Sequence, residues 1–451
     1  MAVGTVLAAG PAAAAPQATD RVDGAWRSDG YDTVLSIEDG QLREYQTTAV
    51  SCLPTDTARL TGHGDQGSVT YTGDDATVYR IRPGAGGARA TLHFDGSVGD
   101  RTLRRLPALP GKCAKTAPTG KLATFDVFWQ TFEENYPFFA AKKIDWQAVR
   151  DRYRPKVHDD MPDSQFFALL REMVLPLYDA HVHIDAGDTG SFGQSRPGTL
   201  IPSSTLDQQA QRFIEQHDLG DTQLRQYANG RIGYAELPDG IGYLRISGFG
   251  GYDKDSPTYA RNSAVLDQAL SEAIRPGLHG LVVDLRINGG GSDALALQVA
   301  ERLTDHPYFA YAKRARNDPA TPDRFTRPQQ VRVQPAPDRF RYTGPVAVLT
   351  GGETYSAGET LTQALMQRPA KTVRIGQNTQ GVFSDVLERR LPNGWAFGLP
   401  NEEYLTPSGQ TFDGDGIPPD ILTGNFPQEI TAGIHDSAFT QALAALRGHD
   451  R

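Results

Sequence analysis

The first quarter of the chain alternates between polar and apolar residues in short runs. Residues 33–37 and 76–81 have the two-residue period of β-strands, in which one face is buried and the other is exposed. Turn sequences such as Asp29-Gly30 separate these runs. The pattern predicts a small antiparallel β domain over residues 20–118.

The apolar spacing changes at about Leu122, where aromatic residues begin to recur at intervals of three and four. They are Phe125, Phe128, Trp129, Phe132 and Tyr136. Such a stripe lies on one face of a helix and is more typical of a packed core than of a cofactor site. Further helices are predicted at 146–153 and 164–177, so we expect residues 119–188 to be a helical bundle that ends at the segment around His181.

Strands and helices alternate in the rest of the chain. After a linker and helix at 189–230, short apolar runs predict buried strands at 232–236, 241–246, 280–286 and 346–350. Helical segments follow at 256–274, at 293–303 and after Ser356. This alternation predicts an α/β core with parallel strands over residues 231–451.

The composition is that of a globular protein and argues against nucleic acid as a partner. The 451 residues are 39% hydrophobic and 22% charged, with a net charge of -9. No cluster of Lys and Arg offers a surface for phosphates, so nucleic acid is not an expected partner. No run beyond the N-terminal residues reaches the roughly 18 apolar residues that a membrane span requires.

The N-terminal residues and the cysteines both indicate export. Residues 2–16 are small and apolar and run into an Ala-x-Ala pattern, as at the end of a secretory signal. We therefore predict that residues 1–19 are a signal-peptide remnant and that the protein is secreted or lies in the cell envelope. The two cysteines, Cys52 and Cys113, both fall near the β domain, and in an exported protein such a pair predicts a disulfide.

Ser356 stands at the start of a predicted helix, directly after the strand 346–350 and a glycine-containing turn. With Glu359 at the third position beyond it, Ser356 fits the pattern of a helix cap. A hydroxyl at this place also lies beside unpaired backbone N–H groups, which stabilise a developing oxyanion. Thr354 stands where a Gly-x-Ser-x-Gly turn needs glycine, so the α/β-hydrolase pattern is excluded.

Two other motifs allow different chemistry. His181 and His183 alternate with apolar residues, so on a strand both imidazoles would point to one side and could serve a zinc hydrolase. The spacing Gly289-x-Gly291-x-x-Ala294 fits a loose dinucleotide fingerprint, but the next strand does not end in the required acidic residue. We expect no metal and no cofactor.

Three stretches, at 283–291, 356–359 and 413–420, occur in an order and spacing that resemble one family. They are similar to the hallmarks of the tail-specific, or C-terminal processing, serine peptidases and of the tricorn protease core. The bundle ending in Asp179-Ala180-His181 resembles the tricorn-like branch and its retinoid-binding relatives. This resemblance implies a ClpP/crotonase-like β–α superhelix for the core. No insertion resembling a PDZ module separates His181 from Asp284.

The resemblance also implies roles for particular residues. Ser356 is the expected nucleophile, and the N–H groups of Ala357 and Gly290 are the expected oxyanion hole. The stretch 376–385 lacks the lysine that the processing branch uses as a base, so the histidine of the tricorn branch, here His181, is the expected general base. The acid that orients His181 is left open between three candidates: Asp413, Asp179 and Glu359.

The predicted function is therefore that of an exported serine peptidase acting on peptides or unfolded proteins, with an oligomeric state that the sequence does not indicate. The alternative from another class is a noncatalytic protein that binds an apolar ligand on the same fold. A zinc hydrolase built on His181 and His183 is the third hypothesis.

Overall fold

The computed structural model describes residues 21–317, 324–433 and 435–448. The predicted signal-peptide remnant at 1–19 lies outside the described residues. The domain boundaries proposed from the sequence remain predictions, although the elements described next fall within them.

Eight antiparallel strands close into a barrel, because the first strand pairs with the eighth as well as with the second. The strands are β1 (Gly24–Ser28), β2 (Thr33–Glu38), β3 (Gln41–Thr47), β4 (Cys52–His63), β5 (Val69–Gly73), β6 (Val78–Pro83), β7 (Arg89–Phe94) and β8 (Arg101–Leu106). Their inward-facing apolar residues, among them Trp26 and Tyr71, form one buried cluster. The predicted all-β domain is confirmed.

A disulfide joins the barrel to the segment that follows it. Cys52, at the start of β4, is bonded to Cys113, with the two Cα atoms 4.8 Å apart. The bridge closes a separation of 61 residues. It therefore ties the segment after the barrel to one of the middle strands of the barrel.

The remaining strands form three sheets. They are β9 (His183–Asp185), β10 (Ser191–Gly193), β11 (Arg225–Tyr227), β12 (Ile232–Glu236), β13 (Ile241–Ile246), β14 (Gly280–Asp284), β15 (Tyr308–Ala315), β16 (Gln329–Val333), β17 (Val346–Thr350), β18 (Thr372–Gly376), β19 (Val386–Arg390), β20 (Ala396–Pro400), β21 (Glu402–Leu405) and β22 (Ile421–Leu422). The sheet orders are β10-β9-β20-β19, β11-β12-β13-β14-β17-β18-β22 and β16-β15-β21.

The helices are α1 (Lys121–Asn135), α2 (Trp146–Tyr153), α3 (Asp163–Val174), α4 (Ser204–His217), α5 (Tyr259–Ala273), α6 (Asp293–Glu301), α7 (Ala357–Met366), α8 (Phe426–Ala432) and α9 (Ser437–Arg447). Helix α1 packs on the four-stranded sheet through the predicted aromatic stripe, and α2 and α3 contribute to the same buried cluster. The rings of Phe128 and Phe132 lie 5.0 and 5.9 Å from that of Phe397 on β20. The predicted bundle is thus a layer on a sheet.

The seven-stranded sheet is the core that positions the site. From β13 through β14, β17 and β18 to β22 its strands are parallel. Alternate residues face opposite layers: Val283 and Val348 pack against α5, α6 and α7, whereas Val282 and Ala347 pack against α4, α8 and α9. Burial on both faces explains why these strands are continuously apolar. The predicted α/β core is confirmed.

The structure departs from the sequence-based prediction at His181. The strand that follows the bundle begins at His183, and His181 lies in the preceding turn. That turn is closed by Asp179, whose carbonyl oxygen accepts from the Val182 N–H at 3.1 Å and whose Oδ1 accepts from the His181 N–H at 3.0 Å. The two histidines therefore do not share a strand.

Among residues 21–317, 324–433 and 435–448, no helix combines the length and the apolar character needed to cross a membrane.

Candidate active site

Ser356 occupies a sharp turn between β17 and α7. Its backbone dihedrals are φ 49° and ψ −119°, a region that residues other than glycine rarely adopt. Its side chain makes no capping hydrogen bond to the helix. The interpretation of Ser356 as a helix cap is therefore wrong. The hydroxyl is free for another role, and Ser356 is partly exposed between buried neighbours.

The glycine turn after β14 packs directly against Ser356. Since β14 and β17 are parallel neighbours, their carboxyl ends meet at one edge of the sheet. A Cβ atom added to Gly290 would lie 2.6 Å from the Cβ of Ser356, so a larger residue there would clash with the serine. The N–H of Tyr355 donates to the carbonyl oxygen of Asn288 at 2.9 Å and links the two turns.

The two predicted oxyanion donors differ in their surroundings. Ala357 is the first residue of α7, so its N–H has no partner within the helix. The N–H of Gly290 instead donates to Oδ1 of Asn288 at 2.9 Å. Gly290 can serve as a donor to substrate only if Asn288 releases it, and its assignment remains a prediction.

Glu359 binds the loop 381–385, which contacts Ser356. Its two carboxylate oxygens accept from the N–H groups of Gly381 at 2.7 Å and Val382 at 2.8 Å. Val382 in turn accepts from the N–H of Ser356 at 3.0 Å. Burial raises the pKa of Glu359 to about 7, although both amide donors oppose that rise. Glu359 thus holds the loop and makes no hydrogen bond to His181.

His181 is 8% exposed, and burial lowers the pKa of its imidazole below the ordinary value of 6.5. The charges of Asp179 and Asp385 oppose this decrease. Its Nδ1 atom is buried and has no hydrogen-bond partner in the part of the chain that the structure describes. A neutral imidazole with a lowered pKa can accept a proton at neutral pH.

The acids proposed to orient His181 contact its surroundings rather than its ring. Asp179 Oδ1 accepts from the His181 backbone, and Asp179 Oδ2 accepts from the Tyr136 hydroxyl at 2.8 Å. Asp413 accepts from the N–H of Phe383 at 3.2 Å and from the Thr411 hydroxyl at 2.6 Å. Burial raises the pKa of Asp413 well above its ordinary value of 3.8.

Asp385 was not among the predicted site residues. It lies in the same loop as Val382, its charge acts on His181, and Lys313 lies 3.3 Å from its Oδ2. Burial raises the pKa of Asp385, but the positive charges of Lys313 and Arg101 and the hydrogen bond from Lys313 together hold it below the ordinary value of 3.8. Its only sequence signal is its position in the stretch 376–385, where the processing branch has a lysine and this chain has none.

Lys313 also connects the site to the barrel. Its Nζ lies 3.2 Å from Oε1 of Glu402, the same atom that accepts a hydrogen bond from the hydroxyl of Tyr31. The side chain of Lys313 is 6% exposed. Tyr31, Glu402 and Lys313 therefore form a buried polar connection from the β domain to Asp385.

His183 faces a different neighbour. Its Nε2 lies 3.3 Å from Oε2 of Glu388, and this contact raises the pKa of His183. Across the described ranges 21–317, 324–433 and 435–448, no group of three or more His, Cys, Asp or Glu side chains is arranged to hold a metal ion. The zinc hypothesis therefore has no ligand set there.

Comparison with protein families identifies two segments. Residues 240–423 match Peptidase family S41, and residues 121–174 match the Tricorn protease C1 domain. The first match contains the glycine turn, Ser356, Glu359, the loop at 381–385 and Asp413. The second covers most of the helical bundle. Together the two matches cover more than half of the chain.

Individual relatives agree with these matches. A carboxy-terminal-processing protease from Bartonella bacilliformis is 28% identical over 210 residues, covering 46% of this chain and 44% of the relative. A chloroplastic C-terminal processing peptidase from Tetradesmus obliquus is 27% identical over 199 residues, covering 42% of this chain and 38% of the relative. The chain thus spans less than half the length of these curated relatives.

A solved structure is similar to a larger share of the chain. The crystal structure of a candidate peptidase from Parabacteroides merdae has a TM-score of 0.59 and 25% identity, and the likeness covers 73% of this chain and 97% of that one. The fold and the ordered motifs thus agree with the match of residues 240–423 to Peptidase family S41 and with the match of residues 121–174 to the Tricorn protease C1 domain.

Proposed function

We propose that this protein is a serine peptidase in which Ser356 is the nucleophile and His181 the general base. The observation that carries the proposal is the state of Ser356. It is held in a strained turn at the start of α7, its hydroxyl does not cap the helix, and it packs against the glycine turn. A strained conformation persists only where the surrounding structure enforces it, and such positions cluster at active sites.

The reaction would proceed through an acyl-enzyme. His181 takes the proton from the Ser356 hydroxyl as the oxygen attacks the substrate carbonyl carbon. The N–H of Ala357, joined by that of Gly290, stabilises the oxyanion. The C–N bond breaks, His181 returns the proton to the leaving amine, and water then hydrolyses the ester by the same steps.

The structure sets one condition on these reaction steps. In the part of the chain that it describes, no hydrogen bond joins His181 to Ser356. Proton transfer therefore requires the two side chains to approach in the substrate complex, or a water molecule to bridge them. Charge on His181 would be balanced by Asp179 and Asp385, while Asp413 supports the loop through Phe383.

We further propose that the protein acts on peptides or unfolded proteins outside the cytoplasm. The small-residue N-terminal stretch and the Cys52–Cys113 disulfide support export. The relatives named above are processing proteases, which supports a protein substrate.

The test is to compare the wild-type protein with Ser356→Ala. We expect a fluorophosphonate probe to label the wild type at Ser356 and not the variant, and a mixed peptide library to be cleaved only by the wild type. Equal labelling and equal cleavage by both proteins would show that Ser356 is not the nucleophile.

A further inference from the structure

A polar cavity of about 510 Å³ opens beside the glycine turn. Its walls come from the start of α4, from the turn before β12, and from Ser247 and Gly289. Gly289 is exposed and directly precedes Gly290, which packs on Ser356. The cavity therefore adjoins the place where a scissile bond would lie.

Arg231 and Asp207 are the charged residues that line this cavity. The Asp207 carboxylate is already paired with the buried guanidinium of Arg245. In contrast, the side chain of Arg231 forms no hydrogen bond or ion pair with any described residue. The cavity thus presents one uncompensated positive charge.

The local backbone holds Arg231 close to the glycine turn. The carbonyl oxygen of Arg231 accepts from the N–H of Ser247 at 2.9 Å, and the carbonyl oxygen of Ser247 accepts from the N–H of Gly289 at 3.1 Å. A Cβ atom added to Gly248 would lie 2.8 Å from Nη1 of Arg231 and 3.4 Å from the carbonyl oxygen of Gly290. Glycine at 248 therefore leaves room for the guanidinium within a short distance of Gly290.

We propose that Arg231 binds a carboxylate of the peptide substrate and so favours acidic sequences near the cleaved bond. A guanidinium offers paired N–H donors that match the two oxygens of a carboxylate. In an extended peptide, successive residues advance by about 3.3 Å, so the bound group belongs to a residue about one to three positions from the scissile bond. This inference rests on the proposed peptidase function and adds the class of substrate.

The carboxylate could come from a Glu or Asp side chain or from the end of the peptide chain. Both offer the same planar anion, so the test must separate them. Alanine-rich fluorescent peptides with one Glu, moved through each position, are compared with matched Gln peptides. Each peptide is made with a free and with an amidated C-terminus.

Binding is measured by fluorescence anisotropy in the Ser356→Ala background, so that no cleavage is needed. We expect at least one Glu peptide, or the free-acid form, to bind about tenfold more tightly than its neutral match, as for a charge-assisted hydrogen bond at a partly exposed site. Arg231→Gln should abolish the preference, and Arg231→Glu should transfer it to Lys peptides. Arg59→Gln, at an exposed arginine of the barrel, should leave it unchanged.

Equal affinities for charged and neutral peptides at every position, or a preference that survives Arg231→Gln, would overturn the proposal. Fluorophosphonate labelling keeps the two hypotheses apart. Arg231→Gln should still be labelled at Ser356, because the probe carries no carboxylate, and labelling would show that its nucleophile is intact. A wild type that selects acidic peptides but is not labelled would retain this binding site and contradict the nucleophile instead.

Discussion

The backbone N–H of Ser356 donates to the carbonyl oxygen of Val382 at 3.0 Å, so the position of the proposed nucleophile depends on a loop 26 residues farther along the chain. The same loop is anchored to Glu359 through Gly381 and Val382, and to Asp413 through Phe383. It ends at Asp385, whose charge acts on His181. The loop 381–385 therefore interacts with both the proposed nucleophile and the proposed base.

Glu359→Ala should destabilise the protein and slow its labelling. The change leaves the buried N–H groups of Gly381 and Val382 without acceptors, which costs about 1–3 kcal/mol each. We expect the free energy of unfolding in urea to fall by about 2–6 kcal/mol and fluorophosphonate labelling to slow by about a hundredfold as Ser356 shifts.

Glu38→Ala, at an exposed position of the barrel, is the matched control and should change neither quantity. If Glu359→Ala kept wild-type stability and labelling, the loop would not depend on this carboxylate.

Ser356→Gly should yield a more stable protein than Ser356→Ala. Both lack the hydroxyl, but only glycine adopts a positive φ of this kind without strain. Strain of this kind costs about 1–3 kcal/mol, so urea unfolding should show a difference of this order between the two variants. A glycine variant no more stable than the alanine variant would mean that the turn at Ser356 is not strained.

The labelling rate should decrease on the acidic side with a midpoint below pH 6.5, because burial lowers the pKa of His181 below 6.5. His181→Gln should lose about 10² to 10⁴ in rate, as expected for a general base. His93, whose contact with Asp100 raises its pKa, serves as the control, and His93→Gln should keep the acidic limb.

Protonation of His181 should also lower the stability of the fold at acidic pH. In the unfolded chain His181 binds a proton near pH 6.5, whereas the folded protein binds it only at lower pH. The unfolded state therefore holds more protons between the two pKa values, and stability decreases as pH falls through that window. An acidic limb centred at or above 6.5, or one unchanged in His181→Gln, would exclude His181 as the base.

Removal of the disulfide should destabilise the β domain. A bridge across 61 residues restricts the unfolded chain, an effect worth about 2–5 kcal/mol. Dithiothreitol should lower the Tm of the wild type, and the double variant Cys52→Ala/Cys113→Ala should match the reduced protein. Because the reductant has no target in that variant, a decrease in its Tm would point to another cause.

Most elements could be predicted from the sequence because their signals are local. The strands at 232–236, 241–246 and 346–350 and the helix at 146–153 have the predicted bounds, since apolar periodicity marks both kinds of element where one face or both are buried. The candidate nucleophile could also be predicted locally, because a strand, a turn and a helix follow one another around Ser356. Its proposed role depends on three motifs that occur in a particular order along the chain.

Only the tertiary structure decided what surrounds that serine. Asp179 accepts a hydrogen bond from the His181 backbone in a turn, so His181 lies outside the strand. Glu359 binds a loop that carries no recognisable motif. The neighbours of Asp385 and Arg231 are far away in sequence, since Asp385 pairs with Lys313 and Arg231 lies beside the glycine turn. Periodicity reports which residues are buried, whereas the pairing of polar groups depends on which distant segments meet.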